Sequence, residues 1–475
     1  MRAALLALLV VGAVLGCAVG PNYVEPEAPT PDLWQQQLTR GLAEGEADLQ
    51  TWWTVFEDPT LTSLIDRAVE QNLDLRLALE QVAEARAERG FARGSWFPSV
   101  FNLGSYQRTQ LSEESFGGDS PIIGGIPGIG SPIDAWRFGF DATWEIDVFG
   151  RVRRLVESAN ADLEASVEDY RDALVILLAD VALTYTQLRT AQQRLAFARS
   201  NVEIQRGSLQ LTRDRNRAGL APDLDVRQAE FILYETEASI PLFQQEARFA
   251  IHRLSRLLGR PPGDLAAELI EAQPIPSPPE KVLVGIPKNL VRQRPDVRAA
   301  ERNIAAQSAQ IGVAKADLFP RLALIGSFAF DALEAAKLFT GGAKAFSFGP
   351  AIRWNLFDGG RVRARIQTED VRTEQTVTIY ENTVLLALEE TENAMVAYQR
   401  EQQRRDSLAR SVVANQQALG LVLTLYRTGL TNFQNVLDTQ RSLTLAQDGL
   451  AESEGLVTGN LIRLYRALGG GWSVN

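Results

Sequence analysis

The sequence predicts a mixed α/β fold built twice over, in which strands of a membrane-spanning β-barrel wall lead into very long helices that fold back on themselves. Three observations carry that expectation. The stretch from Trp144 to Gly259 recurs without a gap at Trp354 to Gly469, 354 − 144 = 210 positions further on. In each copy an alternating polar/apolar segment comes before a long Pro-free run, Arg151 to Arg217 in the first. Beyond the N-terminus there is no apolar run of the roughly 18 residues that a transmembrane helix needs, so any span must be made by strands.

The duplication is dense in matched positions. Gly150-Arg151-Val152-Arg153 falls on Gly360-Arg361-Val362-Arg363, and Arg253-Leu254 falls on Arg463-Leu464. An ungapped match of this length means that the spacings inside the unit are fixed by geometry, as in repeat architectures. The 475 residues therefore read as one body of two fused halves: repeat 1 over 59–260 and repeat 2 over 287–469, joined by a Pro-rich linker, 261–286.

Composition excludes several functions. A net charge of −11 argues against a nucleic-acid surface, which would be basic. One Cys, one His and two Met leave no disulfide framework and little material for a soft-metal site. No catalytic constellation is apparent, because His252 has no Ser or Cys nucleophile to activate, and the Gly-rich loops lack the Lys-Ser/Thr of a phosphate loop. No enzyme activity and no cofactor are expected.

From the N-terminus, Arg2, the apolar run Ala3 to Val14 and Leu15-Gly16-Cys17 read as a signal peptide over 1–16 ending in a lipoprotein cleavage box, with Cys17 as the lipid acceptor. One acyl chain binds a membrane weakly, so the anchor supplements some other insertion. Residues 17–58 read as an extended tether, Pro-rich and acidic to about Asp48. A helix is expected from Thr60 to about Arg93, with Leu61, Leu64, Ile65 and Ala68 on its buried face. Strands follow from Phe97-Pro98 to about Gln107, with a copy at Leu322 to Phe330, and a Gly/Pro/Ser-rich loop lies between Leu111 and Pro132.

The returning strand alternates Phe138, Phe140, Ala142, Trp144 and Ile146 with Gly139, Asp141, Thr143 and Glu145. A soluble sheet could show such a pattern, but behind a signal peptide it is the signature of a lipid-facing barrel strand. Four strands per chain cannot close a barrel, and open edges are not tolerated in lipid, so the chain must oligomerise; two, three or four copies would all close. In the long helix, Leu174, Val181, Leu188, Leu195, Val202 and Leu209 recur every seven residues, the period of a left-handed coiled-coil seam. Gly219 and Gly429 mark the reversals, where glycine supplies a left-handed cap, and Asp223 and Asn432 are candidate N-caps of the helices that return. Pro241 suggests a kink or break in the first of these, and the tail, 470–475, is expected to be disordered.

Two segments make the resemblance specific. Cys17-Ala-Val-Gly-Pro21-Asn-Tyr23 with Trp52-Trp53-x-x-Phe56-x-Asp58-Pro59-x-Leu61, and Gly285-Ile-Pro287 with Arg294-Pro295-Asp296-Val297-Arg298-x-Ala300-Glu301, resemble the outer-membrane efflux proteins, the TolC/OprM-like lipoprotein channels. The resemblance implies a homotrimer whose twelve strands form one barrel, continued in the periplasm by an α-helical barrel. It implies the passive exit duct of a tripartite efflux pump for small molecules, lipid-anchored in the outer membrane and working with a periplasmic adaptor and an inner-membrane transporter. It also implies a gate at the helix turns: Asp438 as an acidic ring that attracts cations, Gln434 and Asn435 beside it, and Tyr426 and Asp225 as closing tethers. The adaptor would dock on Arg217, Gly219, Leu220, Arg427, Gly429 and Leu430. The chain departs from the TolC branch at Asn435, where a second acid is usual, and at Thr431, where an Arg is usual, which argues against a salt-bridged latch. A polypeptide secretion duct of the same fold and a non-channel periplasmic lipoprotein scaffold are the alternative readings.

Overall fold

The computed structural model describes residues 18–28, 30–45, 49–112 and 131–472. The expected signal peptide, Cys17 and most of the Gly/Pro/Ser-rich loop lie outside the described residues.

A short strand, β1 (Leu42–Glu44), comes first. Helix α1 (Pro59–Gln71) is capped by Asp58, whose carboxylate accepts from the amides of Thr60 and Leu61 at 2.9 and 3.0 Å. The expected single helix to Arg93 is in fact two. The chain turns extended at Asn72, ψ 131°, and restarts as α2 (Leu73–Gly94). The cause is a buried Asn whose side-chain oxygen accepts from Leu75 N–H at 2.7 Å while its amide donates to Leu257 O at 2.8 Å. Next come β2 (Ser99–Thr109), β3 (Ile133–Ile146), α3 (Arg151–Arg217) and α4 (Asp223–Leu257). The linker carries a short helix, α5 (Ala266–Leu269), and a strand, β4 (Val282–Val284). Then follow α6 (Pro287–Gln293), α7 (Pro295–Ala316), β5 (Arg321–Ala332), β6 (Lys344–Arg353), α8 (Arg361–Thr428) and α9 (Phe433–Ala467). At about 1.5 Å per residue, the 67 residues of α3 extend about 100 Å. The starts of α3 and α8 lie 361 − 151 = 210 residues apart, as do those of α4 and α9, 433 − 223 = 210.

The chain divides into two compact units. One gathers Ala83–Glu164 and Arg302–Thr378 with the N-terminal residues as far as Glu25, and it holds the sheet. Its strands run antiparallel in the order β2-β3-β5-β6. Register places Phe140 opposite Phe328 and Phe328 opposite Phe346, so one face carries a row of exposed rings. The other face carries charges: Arg137 lies 3.7 Å from Asp331 and 3.9 Å from Asp141 and donates to Ser327 Oγ at 3.1 Å. The expected two-faced pattern is therefore present, and among the described residues β2 and β6 are each paired on one side only. The strand-to-helix junction is capped by Asp147, which accepts from the amides of Val152 and Arg153 at 3.0 and 2.9 Å. Just inside the helix, buried Arg154 holds the start of the tether, donating to Val19 O at 3.2 Å and to Asn22 Oδ1 at 2.9 Å.

The second unit gathers Pro26–Val82, Ala165–Glu301 and Ile379–Asn475 and is mostly helical. Of the heptad set on α3, Val181, Leu188, Val202 and Leu209 are buried, and Leu174 and Leu195 are half-buried. Part of α3 is long and apolar enough to cross a membrane, yet most of that stretch is buried inside the protein, as in the core helix of a bundle. Of the kink or break expected at Pro241, no break occurs, since helix α4 is continuous through it. Gly455 of α9 lets that helix touch α3, for a Cβ there would lie 2.1 Å from Thr190 Oγ1. The tether and linker meet as extended chain, β1 and β4 pairing in parallel through Leu42↔Val282 to Glu44↔Val284.

At the far end of α9, Arg294 is buried. It grips both oxygens of Asp296 at 3.0 and 2.7 Å, reaches Glu390 at 2.7 Å and donates to the helix-terminal carbonyl of Ala467 at 3.0 Å. The first residues of the tail are also packed: Trp472 donates to Gln293 O at 3.1 Å, with the guanidinium groups of Arg171 and Arg298 at 4.6 and 5.2 Å from its ring. Residues 473–475 lie outside the described residues.

Candidate functional site at the helix turns

Both reversals are closed by the same backbone chemistry. Gly219 and Gly429 adopt φ of 73° and 77°, the left-handed region that side chains disfavour. The amides of Leu220 and Leu430 then donate back to Arg215 O and Leu425 O at 2.8 and 2.9 Å, while those of Gly219 and Gly429 reach Asn216 O and Tyr426 O at 2.9 and 3.1 Å. This is the Schellman arrangement. It leaves Arg217, Gly219, Leu220, Arg427, Gly429 and Leu430 all exposed, with Leu220 at 67% and Leu430 at 76%.

The returning helices start differently. Asn432 caps α9, its side chain accepting from the amide of Asn435 at 3.3 Å. In α4 the capping position falls to Pro222, which has no side-chain hydrogen bond, and Asp223 is already the first helical residue. The expected Asp223 cap is thus corrected. With its carboxylate one position too far along, Asp223 lies 3.4 Å from Arg227 one turn on.

On α9, Phe433, Val436 and Leu437 are buried, whereas Gln434, Asn435 and Asp438 are exposed on the opposite face. That face is internally bonded: Gln434 donates to Asp438 Oδ1 at 2.9 Å, and Asn435 donates to Thr431 Oγ1 at 2.7 Å. A row of polar groups therefore stands on one stripe of the helix, with its orientation fixed by the apolar stripe behind it.

The two expected tethers, Tyr426 and Asp225, are not hydrogen-bonded to each other among the described residues, and the reason is packing. Tyr426 is only 2% exposed and sits in a cluster with Leu209, Val226, Phe433 and Val436, its ring 5.5 Å from that of Phe433. Its hydroxyl points at Thr212 Oγ1, 3.4 Å away, and Thr212 in turn donates to Ser208 O at 2.9 Å. The guanidinium of Arg215 lies over the Tyr426 ring at 4.7 Å. Asp225 is half-buried; burial pushes its carboxyl above the usual range and the nearby Arg215 charge partly offsets that.

Sequence reasoning missed Arg215, Thr212 and a line of polar residues behind them. Asn201, Gln205, Ser208 and Thr212 are buried one turn apart along α3. Asn201 donates to Gln447 Oε1 at 2.9 Å, and Ser208 Oγ accepts from Gln440 Nε2 at 2.7 Å. The signal was a polar row at 4-3-4 spacing beside the apolar heptads. His252 is exposed on α4, and no His/Cys/Asp/Glu group suited to a metal ion occurs among the described residues.

Comparison with known proteins gives one consistent result. The model of a family described as outer membrane efflux protein matches residues 64–260 and 286–470. The chain is 33% identical over 442 residues to nodulation protein T of Rhizobium leguminosarum biovar trifolii, covering 92% of this chain and 91% of that protein. It is 31% identical over 479 residues to the toluene efflux pump outer membrane protein TtgI of Pseudomonas putida, covering 99% and 98%. Among solved structures, the outer-membrane channel OprN superposes with a TM-score of 0.87 at 37% identity, covering 96% of this chain and all of that one.

Proposed function

The chain belongs to the outer membrane efflux protein family, and from that premise we propose that it is the passive exit duct of a tripartite efflux pump. Three copies of the four-stranded sheet make one twelve-stranded barrel in the outer membrane, and the duplicated helical hairpins line the periplasmic passage. The bare edges of β2 and β6 support this, because each can serve as the other's partner in a neighbouring copy. The cargo is small molecules, drugs or toxic compounds, a reading supported by the likeness to the toluene efflux pump protein. No catalysed reaction is assigned, and energy comes from an inner-membrane transporter coupled through a periplasmic adaptor. The adaptor docks on the exposed turn residues Arg217, Gly219, Leu220, Arg427, Gly429 and Leu430. Acylation of Cys17 supplements the barrel as an anchor.

The observation that carries the gating part of this reading is the exposed polar stripe Gln434, Asn435 and Asp438, backed by a buried apolar one. Around a three-fold axis the Asp438 carboxylates would face one another, repel, and draw in cations. Partner binding shifts the population from closed to open by moving one kind of hairpin against the other. Single-channel recording tests this: Asp438→Ala should raise conductance or weaken cation preference, and currents identical to the unsubstituted protein would remove Asp438 from the constriction.

A further inference from the structure

We propose that Arg215 is the positioning residue that clamps the second hairpin against the first, above a seam built polar so that the two can part. The proposal rests on the reading of the helix turns as the gate and names what holds that gate shut. Arg215 belongs to α3. Its Nη1 donates to Tyr426 O at 2.6 Å and to Arg427 O at 3.2 Å, both in the last turn of α8. Carbonyls in a last helical turn lack intrahelical partners and carry the negative end of the helix dipole, so a cation donating into them is well matched. The same guanidinium covers the Tyr426 ring, which places one side chain of the first hairpin on both the backbone and the buried aromatic of the second.

The side chains that make the contact are ones the duplication did not keep, the carbonyl of the matched Arg427 apart. At an offset of 210, Arg215 faces Leu425, Thr212 faces Val422 and Tyr426 faces Asn216, although Arg217, Gly219 and Leu220 each meet an identical residue. The shared residues build each turn; the unshared side chains join the two turns.

Below the clamp, Ser208–Gln440 and Asn201–Gln447 bridge α3 and α9 by side-chain hydrogen bonds. Gln205, buried between them along α3, has neither amide atom partnered among the described residues. Hydrogen bonds of this kind exchange for bonds to water at small net cost, and an unpartnered buried amide gains from reaching water. An apolar seam would offer neither allowance. Resistance to opening is therefore concentrated at Arg215, where a charged donor meets two carbonyls and a ring.

The test is conductance of the purified full-length protein in planar bilayers without adaptor, alongside its thermal unfolding. Arg215→Leu installs what the second copy carries at the same place and keeps an apolar cover on Tyr426. It should raise the open population about tenfold to a hundredfold, with an unchanged melting midpoint. Arg215→Lys should stay mostly closed and Arg215→Gln should open further than Arg215→Lys. If Arg215→Leu fails to assemble, that order of the two polar variants decides, and its reversal would overturn the clamp. Asp438→Ala in the same membranes separates the two readings. Altered currents there with unchanged closure in Arg215→Leu would sink the clamp and leave the gate; no change in either would sink both.

Discussion

Replacing Asp172 by Asn should stabilise the protein at neutral pH and leave it unaffected in acid. Asp172 lies on α3 in a cavity of about 140 Å³ lined by Val175, Ile176, Arg294, Asp296, Glu390 and Arg466, among others. Burial, and next the charge of Asp296, push its carboxyl from 3.8 up to about 6, against the pull of Arg294 and Arg466. A carboxyl whose folded pKa exceeds its unfolded value takes up a proton on folding. Its contribution is thus most favourable below about pH 4, is lost as pH rises from about 4 to about 6, and stays as a cost above that. At about 1.4 kcal/mol per pH unit, ionised Asp172 destabilises the fold by about 3 kcal/mol at pH 7. The carboxamide keeps the shape without the charge, so Asp172→Asn should gain most of that figure at pH 7 and nothing near pH 3.5. Denaturation followed by circular dichroism in detergent, at half-unit steps between pH 3.5 and 7.5, gives both curves. Parallel curves across pH 4 to 6 would refute the reasoning, since they would mean that Asp172 ionises in the native state without penalty.

Gly455→Ala should destabilise by about 1–3 kcal/mol, because the added Cβ would lie 2.1 Å from Thr190 Oγ1. Thr190→Ala in the same chain should recover most of that loss on thermal unfolding, and a Gly455→Ala protein that melts higher than the parent would contradict the close approach. Tyr426→Phe should cost less than about 1 kcal/mol and leave the channel closed, for the hydroxyl contact with Thr212 is long, at 3.4 Å, and the ring under Arg215 remains. Leakage from Tyr426→Phe as large as from Arg215→Leu would make the hydroxyl the tether after all.

What could be read from the sequence was whatever a local rule governs. Alternation from Phe138 to Ile146 marks a strand because successive side chains leave opposite faces, and β3 is indeed there. The Pro-free run and its heptads mark α3, and the glycines at 219 and 429 mark turns that need a positive φ. What could not be read depends on partners far along the chain. Asn72 looks like one more polar residue on an amphipathic helix until Leu257 O is known to sit beside it. The pairing of β1 with β4 joins segments 240 residues apart, each only three residues long. Gln434, Asn435 and Asp438 were singled out by resemblance to a family and not by a local rule, and the structure shows them exposed on α9 opposite buried Phe433 and Val436. The contact of Tyr426 was not legible, for the packing of one hairpin on the other decides which hydroxyl it meets. Arg215, one arginine among several near the turn, gave no local sign of reaching the end of α8.

The sheet has a consequence for how the protein is made. Among the described residues, strands β2 and β6, 11 and 10 residues long, are each paired along one edge only, and rings such as Phe101 and Phe348 stand exposed on them. In hydrocarbon every unanswered backbone group costs several kcal/mol, so a lone chain has no stable inserted state. In water the same edges are templates for adhesion to any other strand. On the proposed barrel reading, the newly made polypeptide is therefore at hazard in water and in lipid alike until its strand edges meet those of another copy. Its yield should depend steeply on local chain concentration, and escorts that shield bare strands in transit should matter more to its abundance than the stability of the finished assembly.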